Sequence, residues 1–238
     1  MKREFFDVHH ISFDVWLTLI RSSPQFKKER DRLVKEFFSL PQPVEEISTH
    51  FRQWDIRFTA INEITGKNLD AEEMIAIILS GLDHDLKNID PEVLADYFQK
   101  QEKLFFAYHP VLIEPQLEER FKELTERGIN LSILSNTGFI KGDLLRRLLD
   151  LLKIGPYFKF QLYSDEICYS KPSHEAFSEV HRQVNNHRAT EKNNILHIGD
   201  NKNADVFGAD RAGMQSALIN SNTISLLSLN IYKEKVST

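Results

Sequence analysis

Apolar positions along the chain follow two different rhythms. Val8 to Phe13 is a short apolar run, broken by His9 and His10, that ends at Asp14-Val15-Trp16-Leu17-Thr18. Such a run, bounded by polar residues, predicts a buried strand. Ser23-Pro24 then reads as an N-cap with proline at the first helical position, followed by Phe26, Leu33, Val34, Phe37 and Phe38 at helical spacing until Pro41 and Pro43. Val44, Ile47, Phe51, Trp54, Phe58, Ile61 and Ile64 sustain a three-four alternation that closes at Gly66. Asp70 with Glu73 predicts a capping box ahead of Met74, Ile77 and Ile78, and Asp90-Pro91 opens a helix carrying Val93, Leu94, Tyr97, Phe98, Leu104 and Phe105. From Ser22 to His109 the pattern predicts helices only.

After Pro110 the rhythm changes. Leu117, Phe121 and Leu124 mark a helix ended by Gly128, and Ile129 to Leu134 is an apolar strand stopping at Ser135-Asn136-Thr137. A leucine-rich helix over Ile140 to Leu152 precedes a strand from Phe160 to Tyr163. Phe177, Val180 and Val184 mark another helix, and Ile195 to Ile198 is a strand ending at Gly199-Asp200. A short helix through Val206 and Ala209 closes at Gly213, and Ala217 to Ile219 is a further strand. Alternating strands and helices with apolar strands predict a parallel sheet covered on both faces. The expected class is α/β: a Rossmann-like core from residues 1–21 and 110–238, with an all-helical cap over 22–109 inserted after the first strand. Ser221 to Thr238 predicts a last helix and a loose tail.

Composition narrows the function. Thirty Lys and Arg against thirty-five Asp and Glu give a net charge of −5, with no basic footprint for nucleic acid. Cys168 is the single cysteine, which excludes an internal disulfide and a Cys-rich zinc site. The segment Met1 to Asp7 meets charge before a signal-peptide core forms, and Met74 to Leu79 is too short to cross a bilayer. A cytoplasmic protein without a membrane partner, monomeric or homodimeric, is expected. No two glycines stand as Gly-x-Gly, so neither a dinucleotide loop nor a P-loop is present.

The carboxyl ends of parallel strands line a ligand crevice, and four of the predicted ends carry polar groups. They deliver Asp14, then Ser135 and Asn136, then Lys171-Pro172, then Asp200 with Asp205. Three carboxylates, a lysine and a hydroxyl suit a phosphoryl group together with a hard cation such as Mg²⁺. A carboxylate free to attack phosphorus forms an aspartyl-phosphate.

In these motifs the chain resembles the haloacid dehalogenase-like hydrolase superfamily. The resemblance rests on Phe13-Asp14-x-x-x-Thr18-Leu19, Leu134-Ser135-Asn136, Lys171-Pro172, and Gly199-Asp200 with Asp205 and the trailing Gly208-Ala209 and Ala212-Gly213, in the family's order across nearly the whole chain. It implies that Asp14 is nucleophile and metal ligand, with the Trp16 carbonyl as a further ligand. Ser135, Asn136 and Thr18 would meet the phosphoryl group, Lys171 would bridge it to the nucleophile, and Asp200 and Asp205 would complete an Mg²⁺ site, with Asn201 beyond them. The implied substrate is a small phosphorylated metabolite.

One position departs from the phosphatase pattern. Trp16 stands where those members carry a second Asp as general acid and base, and an indole does neither job. Substrates with good leaving groups, such as acyl phosphates, are therefore expected to outperform alkyl phosphates. A 2-haloacid dehalogenase and a catalytically weak phosphate-binding module are the alternatives. The remaining polar groups read as structural: His9, His10 and His197 as satisfied histidines, Cys168 as an inert loop thiol, and the charged face from Lys27 to Arg32 as solvated.

Overall fold

The computed structural model describes residues 4–221 and 223–234. Five parallel strands form the central sheet: β1 (His10–Phe13), β2 (Asn130–Ser135), β3 (Phe158–Tyr163), β4 (Ile195–Gly199) and β5 (Gln215–Leu218), in the order β3-β2-β1-β4-β5. The first strand is thus the middle one, and the chain leaves it for the helices before returning to build both flanks. Phe13 is level with Ile133 on one side and Ile198 on the other, so the residues that follow the three strands emerge at one edge.

Alternation along β1 explains why it is not uniformly apolar. Ile11 and Phe13 enter a core that includes Phe121, Leu145 and Leu148, under α5 (Leu117–Glu126) and α6 (Gly142–Leu151). His10 and Ser12 are also buried, and each finds a partner on a neighbouring strand: His10 Nε2 lies 2.8 Å from Ser132 Oγ and His197 Nδ1 lies 3.1 Å from Ser12 Oγ. A buried imidazole costs little when paired in this way. The opposite face is covered by α7 (His174–His187) and α8 (Gly208–Ala212), whose Phe177, Val180 and Ala209 pack with Leu134, Leu162 and Ile195.

Between β1 and β2 lie α1 (Pro24–Phe37), α2 (Val44–Thr65), α3 (Ala71–Gly81) and α4 (Pro91–Ala107). Their termini follow the expected signals in part. Pro24 opens α1 although Ser23 makes no side-chain cap, Glu73 reaches back 2.9 Å to the Asp70 N–H, and Gly66 ends α2 at φ 67°. These helices enclose an apolar cluster of their own, with Val34, Ile47, Phe51, Phe58, Ile78 and Tyr97, into which Phe139 projects from beyond β2. Gln101 Nε2 donates to the Phe139 carbonyl at 2.9 Å, and Gln101 Oε1 accepts from the Tyr97 hydroxyl at 2.7 Å. The Ser170 N–H donates to the Gly66 carbonyl at 3.0 Å, joining the end of α2 to the loop before Lys171. Among the described residues no helix is long and apolar enough to cross a membrane.

Three sequence expectations are corrected. The last helix is replaced by a single 3-10 turn, Leu226–Ser228, and a strand, Asn230–Ile231, that pairs in parallel with Glu4–Phe5. Burial of Leu226, Leu229 and Ile231 in the main core holds that segment extended, and residues 222 and 235–238 lie outside the described residues. The Lys27–Arg32 face is not solvated throughout: Asp31 is 2% exposed, and Arg30 binds it at 2.7 Å while its guanidinium lies 4.3 Å from the Phe51 ring centre. In α2 the expected apolar stripe slips in its last turns, where Ile64 is 85% exposed and Asn62 is buried instead, accepting from the Leu69 N–H at 3.0 Å.

His10 provides a test of the buried polar layer. Burial, with a smaller contribution from His187, holds its pKa down at about 3. The unfolded chain therefore binds a proton that the folded chain refuses between about pH 6.5 and pH 3. This contribution to stability is complete above that window and is lost as pH falls through it. In urea unfolding from pH 6.5 to 4.5, His10→Gln is expected to flatten the pH dependence by up to about 1.4 kcal/mol per pH unit. Parallel curves for the two proteins would show that His10 titrates normally in the fold.

Candidate active site

Asp14 follows β1 directly, its N–H donating to the Ile198 carbonyl at 2.9 Å. Three side chains reach its carboxylate. Ser135 Oγ and Lys171 Nζ donate to Oδ1 at 3.0 and 2.8 Å, and Thr18 Oγ1 donates to Oδ2 at 3.0 Å. Thr18 lies on the turn that doubles back from β1, where the Leu17 N–H meets the Ile20 carbonyl at 2.8 Å. Ser135 arrives from the end of β2 because that strand runs level with β1.

Lys171 comes from the loop beyond β3 and is 1% exposed. Its Nζ also donates to Asp205 Oδ1 at 2.6 Å, so one ammonium lies between two carboxylates. Asn136 sets its backbone: the Lys171 N–H donates to Asn136 Oδ1 at 2.7 Å, and Asn136 Nδ2 donates to the Lys171 carbonyl at 3.0 Å. This two-way amide grip was not legible in the sequence, which offered Asn136 as a phosphate contact.

Asp205 is held by the turn after β4. Its Oδ2 accepts from the Asn201 N–H at 2.9 Å, and its Oδ1 lies 3.2 Å from His197 Nε2 as well as against Lys171. A carboxylate accepts only, so Nε2–H donates and Nδ1 is left to accept from Ser12. His197 is therefore a satisfied core histidine, but one that also supports the acidic site. Gly199 is required by proximity, since a Cβ there would lie 2.1 Å from the Asp205 carboxyl.

The electrostatics reflect crowding. One oxygen from each of Asp14, Asp200 and Asp205 lies within 4.8 Å of the others. Burial, then the charges of Asp14 and Asp205, push the Asp200 carboxyl up to about 7. For Asp205 burial pulls the same way, but Lys171 and His197 outweigh it and hold that carboxyl below its ordinary range. Burial opposes the Lys171 charge, yet Asp14 and Asp205 keep it above the usual lysine value. The buried His197 is held below its ordinary value, chiefly by desolvation. One lysine thus faces three carboxyl groups, and the cluster has room for more positive charge. Of the residues predicted from sequence, Asp14, Thr18, Ser135, Lys171 and Asp205 are joined by hydrogen bonds, while Asp200 stands beside them.

The cluster opens into a cleft of about 380 Å³ between the sheet edge and the helices. Trp16 and Leu17 line it from the first loop, and Phe26, Arg30, Asp55 and Phe58 from α1 and α2. Glu63 of α2 spans the cleft, accepting from Asn201 Nδ2 at 2.7 Å and from Asn203 Nδ2 at 2.6 Å. The sequence carried no signal for this strap, because Glu63 is one charge among many on an amphipathic helix.

The family model of the haloacid dehalogenase-like hydrolases matches residues 8–213. The chain belongs to that family. The phosphoglycolate phosphatase 1 of Pseudomonas aeruginosa is 24% identical over 88% of this chain and 68% of its own length. The pyrophosphatase PpaX of Halalkalibacterium halodurans is 25% identical over 62% of this chain, the matched part spanning 66% of that relative. In structure, the magnesium-bound HAD-hydrolase YfnB of Bacillus subtilis superposes with a TM-score of 0.69 at 19% identity, over 94% of this chain and 93% of that one. That likeness is one of fold, an α/β arrangement around a parallel central sheet.

Removing one partner of a buried ion pair leaves an uncompensated charge, at a cost of about 3–5 kcal/mol. Lys171→Met, which leaves Asp14 and Asp205 facing each other, is expected to lose that much stability in urea unfolding with chelator present. A loss below about 1 kcal/mol would show that the carboxyl groups find other partners.

Proposed function

We propose that this chain is a capped, Mg²⁺-dependent phosphatase of the family, acting on a small phosphorylated metabolite through an aspartyl-phosphate at Asp14. The observation that carries the reading is the convergence of Asp14, Asp200 and Asp205, with one ammonium between two of them, a set of hard oxygen donors with net negative charge beside a nucleophile fixed by three donors. Asp14, Asp200 and Asp205, whose convergent oxygens fit it, would hold the ion, with the Trp16 carbonyl as the further ligand that the family resemblance implies. When bound, Mg²⁺ neutralises carboxylates and phosphoryl oxygens and so permits an anion to approach Asp14.

The chain's own residues then do the following. Lys171 and the Ser135 hydroxyl orient Asp14 and face the transferring oxygens. A carboxylate oxygen of Asp14 bonds to phosphorus as the ester or anhydride oxygen leaves with its electron pair. Water later attacks phosphorus, the bond between phosphorus and the Asp14 oxygen breaks, and the carboxylate is restored as inorganic phosphate leaves with the protons of that water. Helices α1–α4 act as the cap, with the Glu63 strap holding α2 over the site and water excluded during transfer. Phosphatase activity in the similar P. aeruginosa and H. halodurans proteins supports the substrate class.

Trp16 sets the limit on this chemistry. No carboxylic acid follows Asp14 by two residues to protonate the leaving oxygen, a contribution of roughly 10²–10⁴-fold where it is present. Acyl phosphates, whose carboxylate departs without a proton, are expected to be hydrolysed at least about tenfold faster than alkyl phosphates with Mg²⁺ present. Equal rates on acetyl phosphate and glycerol phosphate would overturn that ranking, and halide release from a haloacid without metal would favour the dehalogenase reading.

Ion binding has its own readout. Mg²⁺ at 100 times its Kd is expected to add about 2.7 kcal/mol of stability, seen as a rise in thermal midpoint. Asp200→Asn and Asp205→Asn should each reduce that rise, and Asp14→Asn should abolish turnover. An unchanged midpoint at millimolar Mg²⁺ would argue against the site.

A further inference from the structure

Leu17 combines two features that the fold alone does not explain. Its backbone is in the left-handed region, at φ 57°, where a side chain is disfavoured and glycine is not. Its side chain is also 56% exposed and lines the cleft, so little burial offsets the backbone cost. A second residue holds it there. Asn220, just beyond β5 and itself left-handed at φ 58°, donates from Nδ2 to the carbonyls of Leu17 at 2.7 Å and Thr18 at 3.1 Å. Asn220 is anchored in turn by its N–H, 2.7 Å from the Ile224 carbonyl. Backbone strain held in place by surrounding contacts at the rim of a cleft points to use of the side chain it displays.

The cleft suggests that use. Leu17 lies on the loop between Trp16 and Thr18, and Phe26, Phe58, Phe139 and Trp16 line the same cavity. Next to the polar cluster around Asp14, the cleft thus presents aromatic and aliphatic side chains, interspersed with the charged groups of Lys27, Arg30, Asp55 and Glu63. We propose that Leu17, positioned by Asn220, is a specificity-determining residue that selects phosphorylated substrates whose departing group presents a flat apolar face, an aryl or aryl-acyl group. This rests on the phosphatase reading and gives its substrate class. The two properties agree chemically, because aryl oxides and aryl carboxylates depart with little need of the proton that Trp16 does not supply. Asn220 is a positioning residue: it steadies the turn that carries both Leu17 and the Thr18 hydroxyl bound to Asp14.

Acetyl phosphate and benzoyl phosphate separate this idea from leaving-group acidity, since both release a carboxylate and they differ mainly in the apolar ring. With Mg²⁺, the native chain is expected to favour benzoyl phosphate in kcat/KM by tenfold or more, and Leu17→Gly to reduce that ratio by about tenfold, the discrimination that small changes in an apolar pocket deliver. The same variant should hold or raise the thermal midpoint, by about 2–4 °C, because glycine accepts the left-handed backbone. Asn220→Ala should lower kcat on both substrates, and Leu17→Gly added to it should recover part of the stability lost. A native chain that hydrolyses both phosphates with no preference, or a preference that survives Leu17→Gly, overturns the assignment while the phosphatase reading stands. A native chain inactive on both with Mg²⁺ present removes the phosphatase reading and this inference with it.

Discussion

A single ammonium group between two buried carboxylates organises this molecule's chemistry. Lys171 Nζ lies 2.8 Å from Asp14 and 2.6 Å from Asp205, residues carried by different loops at the edge of the sheet. Burying three charges is costly unless every one is paired and hydrogen-bonded, and the surroundings meet that demand. Asn136 fixes the lysine backbone from the end of β2, and His197 and the Asn201 N–H complete Asp205. Gly199 leaves space for the carboxyl, and Thr18 and Ser135 complete Asp14. Asp200 is partly buried beside two like charges and, among the described residues, pairs with no ammonium of its own, so burial first and those charges second push its carboxyl up toward neutrality.

That arrangement separates what the scaffold does from what the helices do. The sheet and its two apolar layers hold the charged groups in fixed register. Helices α1–α4 have their own apolar cluster and meet the sheet through Phe139, the Glu63 strap and the Gly66–Ser170 hydrogen bond. Polar and apolar groups of the two parts then line one cleft. Trp16 lines that cleft from the first loop.

The α/β class was legible from the alternation of short apolar runs with amphipathic stretches, and the family resemblance from residues placed where those runs end. Asp14, Ser135, Lys171 and Asp205 follow predicted strands or the turns after them, and parallel strands in register bring such positions to one edge. Where the pattern misled, tertiary contacts had overridden local preference. The Lys27–Arg32 face looked solvated because charge was counted residue by residue, yet a guanidinium can lie on an aromatic ring and bury an aspartate beside it. The final segment is a 3-10 turn and a strand because it pairs with residues more than two hundred positions away, which no local window contains.

By itself, then, the sequence determined the order of the central strands and the helices between them, the residue types at the strand ends, and the presence of a tryptophan two positions after Asp14. These are local facts, written by hydrophobic period and by identity. Only the tertiary structure decided which groups touch: that Asn136 serves the lysine backbone, that His197 supports Asp205, that Glu63 straps the helices to the loop after β4, and that Asn220 holds Leu17 in the left-handed region. Each of these is a contact between distant segments whose partner is chosen by strand order and packing, and a pattern read along one chain carries no information about which segment lies across the gap.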